Sequence, residues 1–239
     1  MGLILDKTVA DYVTENIKTA HVFKKHGIDF CCGGNVSVEK ACAKRNVDQT
    51  MLEKELAEVD AVKDVIEDYD KWELDFLMIY IENVHHTYVR ENVSLISQYA
   101  TKVAKVHGNS YSEVVEVNDL FHQVANELLS HMKKEEQVLF PFIKQLTESQ
   151  KLGVPYNKPP FGTVNNPINM MEHEHESAGD VFKEISRLTN NYTPPKEACN
   201  TFKALYAKLD EFEQDLHKHI HLENNILHPK AIAIEKELK

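Results

Sequence analysis

The chain has 239 residues, enough for one substantial core or two small domains, and 42% of them are hydrophobic, as is ordinary for a soluble protein. A formal net charge of -11 argues against the basic footprint of nonspecific nucleic-acid binding; no apolar run is long enough to span a membrane and no signal-peptide plan opens the chain, so a cytoplasmic location is expected. Eight Gly and eight Pro suit a helical chain, four Cys are too few for a disulfide scaffold, and thirteen His make a metal site worth seeking.

Residues 1–57 read as a small helical module. Thr8 or Asp11 is placed to cap a first helix with Val9, Tyr12, Val13 and Ile17 on its apolar side, and Ala20, Val22 and Phe23 indicate a second that Gly27 stops. Cys31-Cys32-Gly33-Gly34 follows, then a helix from Ser37 and another that Asp48 opens through Met51, Leu52 and Leu56. Large apolar residues are too few for an independent core, so the module is expected to dock on the rest of the chain or on a second copy, which makes a homodimer an expectation. Residues 58–70, with Glu58, Asp60, Asp64, Glu67, Asp68 and Asp70, read as an acidic linker, helical in part.

Residues 71–235 carry four long amphipathic stretches. The first, about 71–106, has Leu74, Leu77, Met78, Ile81, His85, Tyr88, Leu95, Ile96 and Tyr99 on one stripe. The second, about 113–146, has Leu120, Val124, Leu128, His131, Met132, Glu135, Val138, Leu139 and Phe142, with a kink expected at Pro141. After a Pro- and Gly-rich loop, the third runs from Pro167 to about 190 with Met171, His175, Ala178, Phe182 and Ile185 inward. The fourth starts at Thr193-Pro194-Pro195 and runs to about Pro229, with Leu209, Phe212, Leu216, His219, Ile220, Glu223 and Ile226 inward. The expected fold is all-α: an up-down four-helix bundle behind a small helical domain, a form whose cofactor sites lie between facing helices.

Each stripe contains a histidine: His85, His131, His175 and His219. Glu135 and Glu223 stand one turn beyond His131 and His219, on the same helix face. Several ionisable groups buried without partners would cost several kcal/mol, and a metal supplies the missing partner. Two shared carboxylates with two imidazoles at each end suit two ions of iron, zinc or manganese; with an oxo or hydroxo bridge each has roughly five ligands and one open position for a small ligand such as dioxygen or nitric oxide. His217 and His221 form a rival pair without the apolar frame, His228 shares their displaced stripe, and His86 and His122 read as supporting or exposed residues.

These residues resemble the hemerythrin-like di-iron proteins, and most closely the iron–sulfur cluster repair di-iron family. The likeness covers nearly the whole chain. Phe30-Cys31-Cys32-Gly33-Gly34 matches that family's short N-terminal domain; His131-Met132 through Glu135-Glu136-Gln137-Val138-Leu139-Phe140-Pro141, Glu174-His175 with Ala178-Gly179, Thr193-Pro194-Pro195, and His219 with Leu222-Glu223-Asn224-Asn225 match its bundle. The resemblance implies two non-haem iron ions, carboxylate- and oxo-bridged, held by His85, His131, Glu135, His175, His219 and Glu223. It also implies cytoplasmic repair of iron–sulfur proteins damaged by nitric oxide or oxidants, through iron donation or nitric oxide reduction; an oxygen or nitric oxide carrier or sensor is the alternative. His85 is preferred to His86 because it shares the stripe with Ile81 and Tyr88. Glu127, one turn before His131, and Glu174, next to His175, are candidates for carrying protons or shaping access. Cys31 and Cys32 sit in a Gly-flanked turn, a setting that lowers thiol pKa, and are candidates for reduction or iron handover; Cys42 and Cys199 read as structural.

Overall fold

In the computed structural model, residues 7–60 and 68–239 are described. The N-terminal helices are α1 (Val9–Glu15), α2 (Ala20–Lys25), α3 (Val38–Arg45) and α4 (Gln49–Asp60). Their starts are chemically explicit. Thr8 and Asp11 form a reciprocal capping box on α1. The Ser37 hydroxyl accepts from Lys40 N, and the Asp48 carboxylate accepts from Thr50 N and Met51 N. Gly27 ends the α2 turn with φ +65°, a left-handed conformation that favours glycine. Of the acidic stretch, residues 58–60 finish α4 and Tyr69–Lys71 form a 3₁₀ turn with Tyr69 buried; Asp64 and Glu67 lie outside the described residues.

Four long helical rods follow, and three of them are interrupted. Leu74–Tyr80 (α5) continues into Thr87–His107 (α6), Glu113–Lys134 (α7) into Phe140–Leu152 (α8), and Asn200–Leu222 (α10) into His228–Glu237 (α11); Asn165–Leu188 (α9) is unbroken. Each interruption is a π turn, at Ile81–His86, Glu135–Leu139 and Glu223–Leu227. There the ladder skips to i→i+5: Thr87 N–H donates to Glu82 O, Phe140 N–H to Glu135 O, and His228 N–H to Glu223 O. Pro141 and Pro229 stand just after the latter two turns, in the first turn of the next helix, where a missing N–H costs least. The kink expected at Pro141 is therefore a widened turn ahead of it, and the second and fourth rods run on past their prolines. The fourth also starts later than Thr193, because Asn190, Asn191 and Tyr192 turn left-handed and Pro194 holds Thr193 out of the helical region.

α6 packs on α7, α7 on α9, α9 on α10 and α10 on α6, which closes the bundle. Two apolar clusters fill it. One, around Phe121, Phe182, Phe202 and Phe212, continues without a break into Val9, Phe23, Phe30 and Leu52 of the N-terminal helices. The other, around Leu77, Ile143, Leu146 and Leu227, lies at the α5/α8/α11 end. The module thus docks on its own bundle, where Lys24 of α2 pairs with Glu213 (2.7 Å) and Asp210 (3.1 Å) of α10. Among the described residues there is no β-strand, only a single bridge between Thr8 and Ser37, and no helix is long and apolar enough to cross a membrane.

Candidate metal centre

The three π turns bring buried polar side chains to one layer between the two apolar clusters. Two groups of potential ligands form there, His86/Glu135/His219/Glu223 and His131/Glu135/His175/Glu223, each with one ligand atom per residue, all within 4.8 Å of one another. Glu135 and Glu223 belong to both, and all six residues are buried. Of the six sequence-indicated residues, His131, Glu135, His175, His219 and Glu223 come together; the sixth place is taken by His86. His85 is buried but turned aside: its Nδ1 meets Asp215 Oδ1 at 2.9 Å and its ring stacks on His219 at 5.5 Å. The cause is the π turn over Ile81–His86. A stripe counted at 3.6 residues per turn emerges one residue early when the backbone holds an extra one, so the expectation of His85 is corrected to His86 by the geometry.

The layer suits a pair of cations on its own evidence. Both carboxylates are 0% exposed, and none of their four oxygens has a hydrogen-bond partner. The Nε2 atoms of His86 and His219 are likewise unpartnered. Two adjacent buried anions repel each other unless positive charge lies between them. The imidazoles face inward in a complementary way: His131 Nε2 lies 3.2 Å from Glu135 Oε1, His86 Nε2 3.4 Å from Glu135 Oε2, His175 Nε2 3.1 Å from Glu223 Oε2, and His219 Nε2 3.2 Å from Glu223 Oε1.

A second ring of groups fixes which nitrogen points inward. His86 Nδ1 meets Glu136 Oε1 at 2.7 Å, His131 Nδ1 meets Glu174 Oε2 at 2.9 Å, and His175 Nδ1 meets Asn224 Oδ1 at 2.8 Å. With Nδ1 occupied, the Nε2 lone pair is left for a metal. Glu136 is also paired with Arg90, and Glu174 with Lys134. The hydrogen bond from His131, against the opposing effect of burial, holds the Glu174 carboxyl down at about 2. Glu136 and Asn224 each follow directly on a carboxylate of the layer, and that adjacency is the one signal of their part that the sequence carries. Glu174 is at the site as an orienting partner of His131. Glu127 is exposed and accepts from Gln123, and it lines a small pocket of about 290 Å³ together with His131 and Glu174.

The electrostatics follow from crowding. Burial opposes a charge on His131, yet Glu135 beside it raises that imidazole to about 10. Burial and Glu223 both push the Glu135 carboxyl up, but His131 and His86 bring it down to about 2. Burial lowers His175. Ligating imidazoles must be neutral, so metal uptake at His131 releases a proton.

The rival pair His217/His221 has another use. His221 is buried against Phe30, approaches Thr14 Oγ1 at 3.5 Å and meets Asn225 at 3.0 Å, and burial lowers it to about 4. His217 stands edge-on to Phe30. Both seat the N-terminal module on α10. His122 faces Thr101 rather than the layer.

Above this seat, the Asp29 carboxylate accepts from Cys31 N (3.1 Å) and Gly33 N (3.1 Å), which folds the Cys-Cys turn back on itself. Gly34 is obligatory, since a Cβ there would lie 2.4 Å from Phe30 O. Cys31 is buried, with Asn225 donating to its carbonyl at 3.3 Å; its hydrogen bond with Cys32, burial and the Asp29 charge all raise its thiol well above the usual value. The expectation of a lowered thiol pKa is thus reversed for Cys31, because the turn is buried beside a carboxylate. Cys32 is partly exposed, 4.0 Å from the Asn224 amide that also holds His175. Cys42 is buried and Cys199 exposed, and all four thiols are free.

Residues 77–231 match the hemerythrin HHE cation-binding domain, and residues 5–60 match ScdA_N, a domain of unknown function. Over 230 residues the chain is 36% identical to proteins named iron–sulfur cluster repair protein YtfE from Escherichia coli O81 (strain ED1a), Escherichia coli O1:K1 and Escherichia fergusonii, covering 96% of this chain and 98% of each relative.

Proposed function

The chain belongs to the iron–sulfur cluster repair proteins with a hemerythrin HHE cation-binding domain, and from that membership we propose that it repairs damaged iron–sulfur clusters with two non-haem iron ions held in its bundle. His86 and His219 would hold one ion and His131 and His175 the other, with Glu135 and Glu223 between them. The observation that carries this reading is the pair of fully buried carboxylates, unpartnered at every oxygen, in the midst of four imidazoles. Iron held there would supply either an ion for delivery to a damaged cluster or a redox-active pair for a small ligand such as nitric oxide or dioxygen. The chain's own residues set the terms. Glu136, Glu174 and Asn224 orient three of the imidazoles, and the apolar clusters on either side exclude water. Clusters damaged by nitric oxide or oxidants in the cytoplasm are the proposed targets, and a homodimer the proposed assembly.

Cys31 and Cys32 fit iron handover better than binding alone, because Asn224 ties Cys32 to His175. A carrier or sensor of oxygen or nitric oxide has no use for that link. The test is metal content and visible spectrum of the purified protein beside a Glu135→Ala/Glu223→Ala variant, followed by reactivation of a dehydratase whose [4Fe–4S] cluster has been damaged by nitric oxide. Two irons per chain, lost with the spectrum and the reactivation in the variant, is the expected result. Iron retained by the variant would overturn the site, and a loaded wild type that reactivates nothing would overturn the repair reading. A Cys31→Ser/Cys32→Ser variant with undiminished reactivation would remove the handover role.

A further inference from the structure

His228 is a third kind of histidine in this bundle. It is 0% exposed, and neither ring nitrogen has a hydrogen-bond partner. Its ring lies parallel to that of His175, 5° apart in plane at 6.2 Å between centroids. Its counterpart at the opposite end, His85, also stacks on a layer imidazole, but His85 is tied through Nδ1 to Asp215. Glu172 approaches it, with Oε1 3.6 Å from Nδ1 and a side chain that is 44% exposed. Glu172 in turn lines an open cleft of about 640 Å³ between α9 and the N-terminal module, which Cys32, His173, Glu176 and Asn224 also line. A buried imidazole with both nitrogens free is costly unless it has a partner for part of the time.

We propose that His228 and Glu172 form a way-station through which an iron ion leaves the His131–His175 end of the centre for the cleft at Cys32. This deepens the iron-donation reading and rests on it. The step is ligand exchange. The bond from the ion to the His175 imidazole breaks as one to the His228 imidazole forms, neutral ligand for neutral ligand. The Glu172 carboxylate replaces the share of Glu223, and water replaces His131 and the share of Glu135 as the ion passes out towards the cleft. The ion keeps its oxidation state, and no electron is transferred. From Glu172 the ion is at the wall of the cleft, where the partly exposed Cys32 thiol offers a soft ligand. His228 does not belong to either group of mutually close ligand atoms, so its part is in transit and not in storage.

The test is iron release. Wild type, His228→Phe and Glu172→Gln are loaded anaerobically with ferrous iron, and transfer to a coloured ferrous chelator is followed by absorbance, with iron content and helical circular dichroism measured alongside. His228→Phe keeps an aromatic ring against His175 and is expected to retain the wild-type iron content while releasing it on the order of tenfold more slowly. Glu172→Gln, at a partly exposed position that folding tolerates, is expected to slow release in the same direction and serves if His228→Phe does not fold. Unchanged release in either folded variant overturns the way-station. Loss of iron content in His228→Phe also overturns it, because His228 would then be a resident ligand. A wild type that takes up no iron instead overturns the metal centre itself, an outcome distinct from the other two.

Discussion

Replacing Glu136 with Ala tests the register of the whole centre. The Glu136 carboxylate accepts from His86 Nδ1 at 2.7 Å, while His86 itself is fully buried. Truncation leaves a buried N–H unpaired and frees the ring to rotate. A hydrogen bond to a charged group contributes about 1.5–3 kcal/mol, and the partial exposure of Glu136 favours the lower part of that range. Partners of this kind affect metal affinity by about 10–100-fold, or roughly 1.4–2.7 kcal/mol, which agrees. Anaerobic competition against a chromophoric chelator reads the two affinities separately. Glu136→Ala is expected to weaken one ion by that factor and leave the other within about threefold, since Glu136 touches His86 and not His131 or His175. His85→Ala is expected to keep both ions. If His85→Ala loses an ion while Glu136→Ala changes neither affinity, then His85 is the ligand and the π-turn reasoning fails.

Three further outcomes are expected. Phe212 is 1% exposed and packs on Tyr88, Phe121 and Phe182, so Phe212→Ala should cost about 3–5 kcal/mol in urea unfolding, and a cost below 1 kcal/mol would contradict the packing described. Against the effect of burial, the Gly33 N–H and Lys183 hold the Asp29 carboxyl below its usual value, so its contribution is full above about pH 4, the unfolded carboxylate value, and is lost as pH falls through the lower folded value; the stability gap between wild type and Asp29→Ala should shrink over that acid range, and a gap that widens there would be the wrong sign. At neutral pH, iodoacetamide should modify the exposed Cys199 and partly exposed Cys32 well before the buried Cys31, whose thiol is raised; mass spectrometry of the tryptic peptides reads the order, and Cys31 reacting first would refute it.

Four amphipathic stripes were readable because each repeats large apolar residues at helical spacing, and the helices follow them. His131, His175 and His219 were readable for the same reason, as were Glu135 and Glu223 one turn beyond their histidines. The first rod was different. No proline marks the π turn at Ile81–His86, so a regular period places His85 where the folded chain presents His86. Near Pro141 and Pro229 the sequence signals a disturbance but not its form, because a kink and a widened turn both answer a missing N–H. The outer partners were hidden for another reason: Glu136 to His86 and Glu174 to His131 are contacts between rods, 50 and 43 residues apart, that no local pattern encodes.

The π turns also bear on how such a centre arises and decays over evolution. Each is a helix carrying one residue more than a plain α-helix needs, so single-codon insertions and deletions, not substitutions alone, are the natural unit of change here. Taking one residue out of Ile81–His86 would let the rod close into an unbroken α-helix with the apolar faces on its two sides still in register, and only the local widening that presents His86 to the layer would be lost. A lineage that lost the metal would have little reason to keep these widened turns, and the length of each rod, counted between its apolar layers, would carry the record of whether the centre was ever built.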